Sequence, residues 1–308
     1  MFLRQQGSPL AIIHVNYSKK RAGRLTRNGE MQSATLSPLQ FARGCDTIDN
    51  MKTILLAVAA VATSTAAFSD PPDPKLAADW TVPKTFESAE GTLLYRWAEP
   101  EKTEPGKKYP LVVLLHGAGE RGKNNVSQLQ WGATPLLAYM REKGIAGYFI
   151  AGQVPNGQQW VDTPWNAAAH RMPQKPSASM ALLLALIDKT IAEQPVDRAR
   201  IYVTGVSMGG YGTWDAIQRR PDLFAAAMPI CGGGDTHLAW KIRDIPIWVW
   251  HGSVDSAVPV SRSRDMVAAL WSVDGRVRYS EVAGFDHAVW HPAYASTEAL
   301  DWFFKQHK

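Results

Sequence analysis

From about residue 90 to the C-terminus, short apolar runs alternate with longer stretches in which apolar residues recur every three or four positions. The runs predict strands over 93–98, 110–116, 147–152, 200–205, 224–230, 244–251 and 276–283. The runs LVVLLH (111–116), RIYVTG (200–205) and IPIWVWH (245–251) are nearly all apolar or β-branched, as befits strands covered on both faces. Met180, Leu183, Leu184, Ile187 and Ile191 share one face of a helix predicted over 178–193, with Pro195 as its stop. A second helix, 208–220, ends in Arg219-Arg220-Pro221, basic residues in the last turn followed by a breaker. Helices over 261–272 and 293–306 complete the alternation. The pattern predicts an α/β domain with a mainly parallel sheet and helices on both faces. No gap after residue 231 is long enough for a large cap domain, so a fairly open site is expected.

Length and composition, 308 residues with 45% hydrophobic, suit one large domain with a buried core. The net charge of +5 points toward an acidic partner until its placement is considered. Residues 1–50 carry seven Lys/Arg against Glu30, Asp46 and Asp49, and Lys52 adds another cation. Beyond residue 67, 25 basic and 25 acidic residues balance. No nucleic-acid partner is expected for a neutral domain.

Residues 51–67 have the layout of a secretory signal peptide: Lys52, the apolar Ile54–Ala62, and the small residues Thr65-Ala66-Ala67. Thr63, Ser64 and Thr65 interrupt the apolar stretch before the roughly 20 residues a membrane span requires, so no stable anchor is expected. Fifty residues precede this segment without sustained periodicity or turn-bounded strands. Translation from Met51 is therefore expected, with 1–50 a start-site artefact or disordered leader, 68–89 a linker leading into the fold, and 90–308 the catalytic domain. The product would be periplasmic or secreted. Cys45 and Cys231 are the two cysteines. Loss of the leader leaves Cys231, which closes the apolar run Phe224–Ile230 and reads as a buried structural thiol.

Gly205-Val206-Ser207-Met208-Gly209 fits the G-x-S-x-G pattern of a nucleophile elbow, set between a predicted strand and a predicted helix. A serine nucleophile needs a base, and the base needs an acid to orient it. Asp255 and His287 follow in that order, each on a loop just beyond a predicted strand. Asp235 and Asp286 are rival acids, and His251 and His291 rival bases. Asp286 neighbours His287 and reads as a loop-shaping group, His251 as a structural histidine, and His291 as a rim residue. A metal is not expected, because His-x-x-x-His alone is too thin a ligand set, and no cofactor is called for. The oxyanion of acyl transfer needs two backbone N–H donors. Met208 supplies one candidate, and Ala118 or Gly119, after the strand ending in His116, the other.

The blocks LLHGAGERG (114–122), GVSMGGYGTW (205–214), HGSVDSAVP (251–259) and GFDHAVW (284–290) together resemble the secreted single-domain α/β-hydrolases often labelled predicted peptidases. These are akin to prolyl oligopeptidase catalytic domains, polyhydroxybutyrate depolymerases and feruloyl or acetyl xylan esterases. The resemblance covers roughly 90–308 and implies the α/β-hydrolase fold, with Ser207 as nucleophile, Asp255 as acid and His287 as base. It implies too that Glu120 and Arg121 brace the oxyanion loop or border the substrate, the alternative being a solvated ion pair. Of the 12 tryptophans, Trp160, Trp165 and Trp290 are candidates to line an aromatic cleft, core packing being the alternative for each. The expected activity is hydrolysis of a small-molecule or polymer-linked carboxylic ester, such as a carbohydrate ester. A serine peptidase acting on short peptides is the other reading. The oligomeric state is left open.

Overall fold

Nearly continuous apolar runs can be buried only in the middle of a layered structure, and that is where they lie. The computed structural model describes residues 12–16 and 73–308. Among them the strands are β1 (Ile12–Asn16), β2 (Val82–Ser88), β3 (Gly91–Ala98), β4 (Tyr109–Leu115), β5 (Tyr148–Gln153), β6 (Val196–Val206), β7 (Ala226–Ile230), β8 (Ile247–Gly252) and β9 (Val277–Val282). They form one sheet in the order β1-β9-β8-β7-β6-β4-β5-β3-β2. The pairings from β5 through β4, β6, β7 and β8 to β9 are parallel, and those of β1, β2 and β3 antiparallel. Every residue of β4, β7 and β8 is buried.

The helices are α1 (Pro74–Asp79), α2 (Ala133–Glu142), α3 (Ala178–Glu193), α4 (Met208–Arg219), α5 (Ser261–Ser272), α6 (Trp290–Ala295) and α7 (Thr297–Lys305). Alternate β4 side chains feed two cores. Leu111, Val113 and Leu115 join residues of α3, α4 and α5 on one face, while Val112 and Leu114 join α1, α2 and α7 on the other. This is the α/β-hydrolase architecture. Among the described residues no helix is long and apolar enough to cross a membrane.

Four features depart from the sequence reading. Residues 74–88, read as linker, form α1 and the edge strand β2, whose exposed positions and Pro83 hide the alternation. Helix α2 has no counterpart among the helices predicted from the sequence; its Pro135 stands in the first turn, where a proline costs little. The single helix over 293–306 is two, broken at Ser296, whose hydroxyl accepts from Ala299 N–H at 3.1 Å to cap α7. Residues 12–16, within a stretch read as strandless, pair antiparallel with β9, Ile12 opposite Val282. Residues 51–67, read as a signal peptide, and Cys45 lie outside the described residues.

A long connection without regular structure, 154–177, runs from β5 to α3. The scaffold holds it at several points. Tyr211 donates to Trp165 O at 2.7 Å, Arg262 to Ala168 O at 3.0 Å, and Met172 N–H to Asp235 at 3.0 Å. Arg219, paired with Asp215 at 2.6 Å, donates to Pro173 O at 2.8 Å. Among the described residues this connection and short helical turns stand around the site in place of a cap domain.

Candidate active site

Ser207 stands where β6 turns sharply into α4, with φ 55° and ψ −117°, a sparsely populated conformation for a residue with a side chain. Its N–H donates to Ile230 O of β7 at 3.0 Å. The turn brings β4 and α4 almost into backbone contact. A Cβ on Gly205 would sit 2.5 Å from Gly209 O, and one on Gly209 would sit 2.0 Å from Leu115 O. The flanking glycines of the pentapeptide are therefore steric requirements.

The loop after β9 brings His287 to this turn, with Nε2 2.8 Å from Ser207 Oγ. Its Nδ1 lies 2.8 and 3.0 Å from the two carboxylate oxygens of Asp255, on the loop after β8. The Asp255 side chain has no solvent exposure. Its Oδ1 accepts from the N–H groups of Ala257 and Val258 at 2.9 and 2.8 Å, and its Oδ2 lies 3.2 Å from His251 Nε2. Burial works against ionisation here, but the hydrogen bonds from His251, His287 and Val258 outweigh it and hold the carboxyl well below the usual carboxylate range.

The rivals are engaged elsewhere. Asp286 accepts from Ser256 N–H and Oγ and from His287 N–H, within 2.7–2.9 Å, and shapes the loop. Asp235 holds His237 N–H and Met172 N–H. His291 packs edge-on to Trp131, ring centres 5.2 Å apart. Cys231 is buried with φ 41°, and burial pushes its thiol up. Its Sγ lies within 4.8 Å of ligand atoms of Asp255 and His287, a donor set whose carboxylate and imidazole are already bonded to each other.

Both candidate oxyanion amides on the 117–119 loop are oriented through the carbonyl before them. His116 Nδ1 lies 2.6 Å from Gly117 O, and Arg121 Nε donates to Ala118 O at 2.8 Å. With trans peptides among the described residues, each fixed carbonyl turns the following N–H, of Ala118 and of Gly119, the opposite way. Met208 N–H opens α4 directly after Ser207. Arg121 thus braces the loop rather than forming an ion pair with Glu120. The Glu120 carboxylate accepts from Trp131 Nε1 at 3.0 Å. Burial pushes it up, against the bonds from Trp131, its own N–H and that of Gly117.

A cavity of about 290 Å³ opens over Ser207 and His287, lined by Ala118, Gly119, Glu120, Trp131, Trp165 and Trp290 among others. Trp165 and Trp290 are where an aromatic cleft requires them. Trp160 is not: it is fully buried, donates to His116 O at 3.1 Å and packs where a Cβ on Gly212 would intrude. Its polar neighbours in sequence carried no information about which way the ring turns. Trp131 was missed, since no period or motif marks the segment QLQWGA (128–133). Its ring stands 5.5 Å from that of Trp290.

His116 also makes stability depend on pH. Its Nε2 accepts from Val154 N–H at 2.9 Å, which requires the neutral ring, and burial lowers its pKa to about 4. The unfolded chain then binds more protons than the folded one between the ordinary imidazole range and about 4. Stability should fall as pH drops through that window. Burial and Arg262 lower His170 likewise to about 4, adding to the effect. Asp255, with its depressed carboxyl, loses its contribution only at lower pH still. Tm measured from pH 7 to 4.5 should decline, and His116→Asn should lower Tm at pH 7 while making that decline shallower. An unchanged slope in the variant would assign the effect to other groups.

The poly(3-hydroxyalkanoate) depolymerase C of Paucimonas lemoignei is 27% identical over 144 residues, covering 35% of this chain and 34% of that protein. The bifunctional acetylxylan esterase/xylanase of Neocallimastix patriciarum is 28% identical over 150 residues, covering 48% of this chain and 20% of that one. The chain thus spans about a third of the first relative's length and a fifth of the second's. The crystal structure of a thermostable esterase superposes with a TM-score of 0.69 at 40% identity, covering 76% of this chain and 64% of that chain. The family described as phospholipase/carboxylesterase matches residues 101–299, a span that takes in Ser207, Asp255, His287 and the 117–119 loop, and the chain belongs to that family of α/β-hydrolases.

Proposed function

We propose that the protein is a cofactor-independent serine esterase that hydrolyses a small-molecule or polymer-linked carboxylic ester, such as an acylated carbohydrate, after export directed by residues 51–67. The observation that carries this reading is the hydrogen-bonded chain from Asp255 through His287 to Ser207 at the floor of an aromatic cavity.

In the proposed reaction Ser207 Oγ attacks the ester carbonyl while its proton passes to His287 Nε2. Asp255 stabilises the imidazolium. The oxyanion is met by Met208 N–H and by Ala118 or Gly119 N–H. His287 then returns the proton to the departing alcohol, and water, activated by the same nitrogen, cleaves the acyl-enzyme to release the acid and restore Ser207. Trp131, Trp165 and Trp290 would pack against the acyl or alcohol group.

A fluorophosphonate probe should label wild-type protein at Ser207, and Ser207→Ala should abolish labelling. Labelling at another residue would overturn the nucleophile assignment. Turnover of p-nitrophenyl acetate and butyrate without turnover of peptide p-nitroanilides would separate esterase from peptidase. The opposite preference would reverse the substrate class.

A further inference from the structure

The triad acid has a partner that the proposed reaction leaves unused. His251, near the end of β8, is buried, and neither its side chain nor that of Asp255 has any solvent exposure. Its Nε2 lies 3.2 Å from Asp255 Oδ2 and 3.1 Å from Val258 O. Both neighbours are acceptors, so Nε2 must carry a proton. On the other side of the ring, Nδ1 lies 2.7 Å from Ser263 Oγ, which is itself 3.1 Å from Gly232 O. The one hydroxyl proton goes either to Gly232 O, with Nδ1 protonated, or to Nδ1. In both arrangements Nε2 keeps its proton, which is shared between Val258 O and the carboxylate beside it.

Asp255 Oδ2 therefore sits between two imidazoles, 2.8 Å from His287 Nδ1 and 3.2 Å from His251 Nε2. The ring is thus shared between Val258 O, Ser263 and the acid. Other ionisable groups stand around the ring. Glu281 is its register partner on β9 and is held by Arg264 at 2.6 Å and by Tyr279 at 2.6 Å. Cys231 lies at the end of β7 beside Asp255.

We infer that His251 is a positioning residue for the proposed reaction, donating to Asp255 a hydrogen bond that fixes its carboxylate against His287 and draws off part of its charge. A carboxylate that shares its charge with a second donor stabilises the His287 imidazolium less strongly, so His251 moderates the base. Ser263 keeps the ring in place. The inference rests on the reading of Ser207, His287 and Asp255 as the reacting triad.

The test is the pH profile of kcat/KM for p-nitrophenyl acetate, whose acid limb reports the essential base of the free enzyme. In His251→Leu the acid limb should move to higher pH by about half a unit or more, with a plateau about tenfold lower and KM little changed. His251→Gln, which keeps an N–H donor, should hold the limb within about 0.2 unit of wild type. A wild-type limb in His251→Leu, in protein that a fluorophosphonate still labels at Ser207, would overturn the inference and leave the triad standing. Absence of labelling at Ser207 in wild-type protein would instead fail the triad. Wild-type protein labelled with ¹⁵N-histidine serves if the leucine variant does not fold. Its His251 Nε2 resonance should be that of a protonated nitrogen and shift as His287 titrates, and an unprotonated Nε2 would overturn the inference.

Discussion

Replacing His287 with alanine should lower kcat/KM for p-nitrophenyl acetate by about four orders of magnitude or more, the scale seen when a triad member is lost. The fold should survive, because the ring is partly exposed and its loop is held by Asp286 rather than by the imidazole. His291→Ala should cost about tenfold or less. Its ring lies against Trp131 and Trp290, so it can affect the cavity wall but has no contact with Ser207 to lose. Steady-state kinetics of the two variants, with circular dichroism as a check on folding, measure the contrast. If the losses were reversed, the triad would have to be redrawn with His291 as base.

Gly209→Ala should act on the fold itself. A methyl group there would lie 2.0 Å from Leu115 O and 2.5 Å from Leu115 C, backbone atoms of the central strand that cannot swing aside. Relief requires α4 to lift from β4, carrying Ser207 with it. The expected cost is about 3 kcal/mol or more, a fall in Tm of roughly 6–12 °C for a domain of this size. Gly119→Ala is the control, because its Cβ would meet nothing within 4 Å, and its stability should stay within about 0.5 kcal/mol of wild type. Thermal melts of both proteins distinguish them. A Gly209→Ala protein as stable as Gly119→Ala would mean that the turn is looser than its contacts imply.

How much of this could be read beforehand depended on whether the controlling interaction was local. The strands β4, β6 and β8 announced themselves because strands covered on two faces need unbroken apolar runs. The edge strand β2 needed no such run and stayed hidden. Ser207, Asp255 and His287 were legible as candidates because each follows a recognisable strand, and the ends of parallel strands lie on one rim. That His287 rather than His291 meets Ser207 is a matter of loop geometry, four residues of chain apart, and needed coordinates. Side-chain direction within 154–177 was illegible, since no period governs an irregular segment: Trp160 turned into the core and Trp165 toward the cavity. The approach of Cys231, just past β7, to Asp255 joins two strands, and that of His251, four residues before Asp255, depends on how the loop after β8 turns back, so no strand or helix period encodes either.

The ties that hold the 154–177 connection bear on how substrate gets in. Trp165 is set by a bond from Tyr211 to its carbonyl, and the segment beyond it is fastened by Arg262, Asp235 and the buried Arg219–Asp215 pair. An aromatic wall anchored at so many points has no hinge to swing on, so the cavity stands in its working shape before an ester arrives. Encounter, rather than gating, would then limit association, and bound and free enzyme should differ little around Trp165.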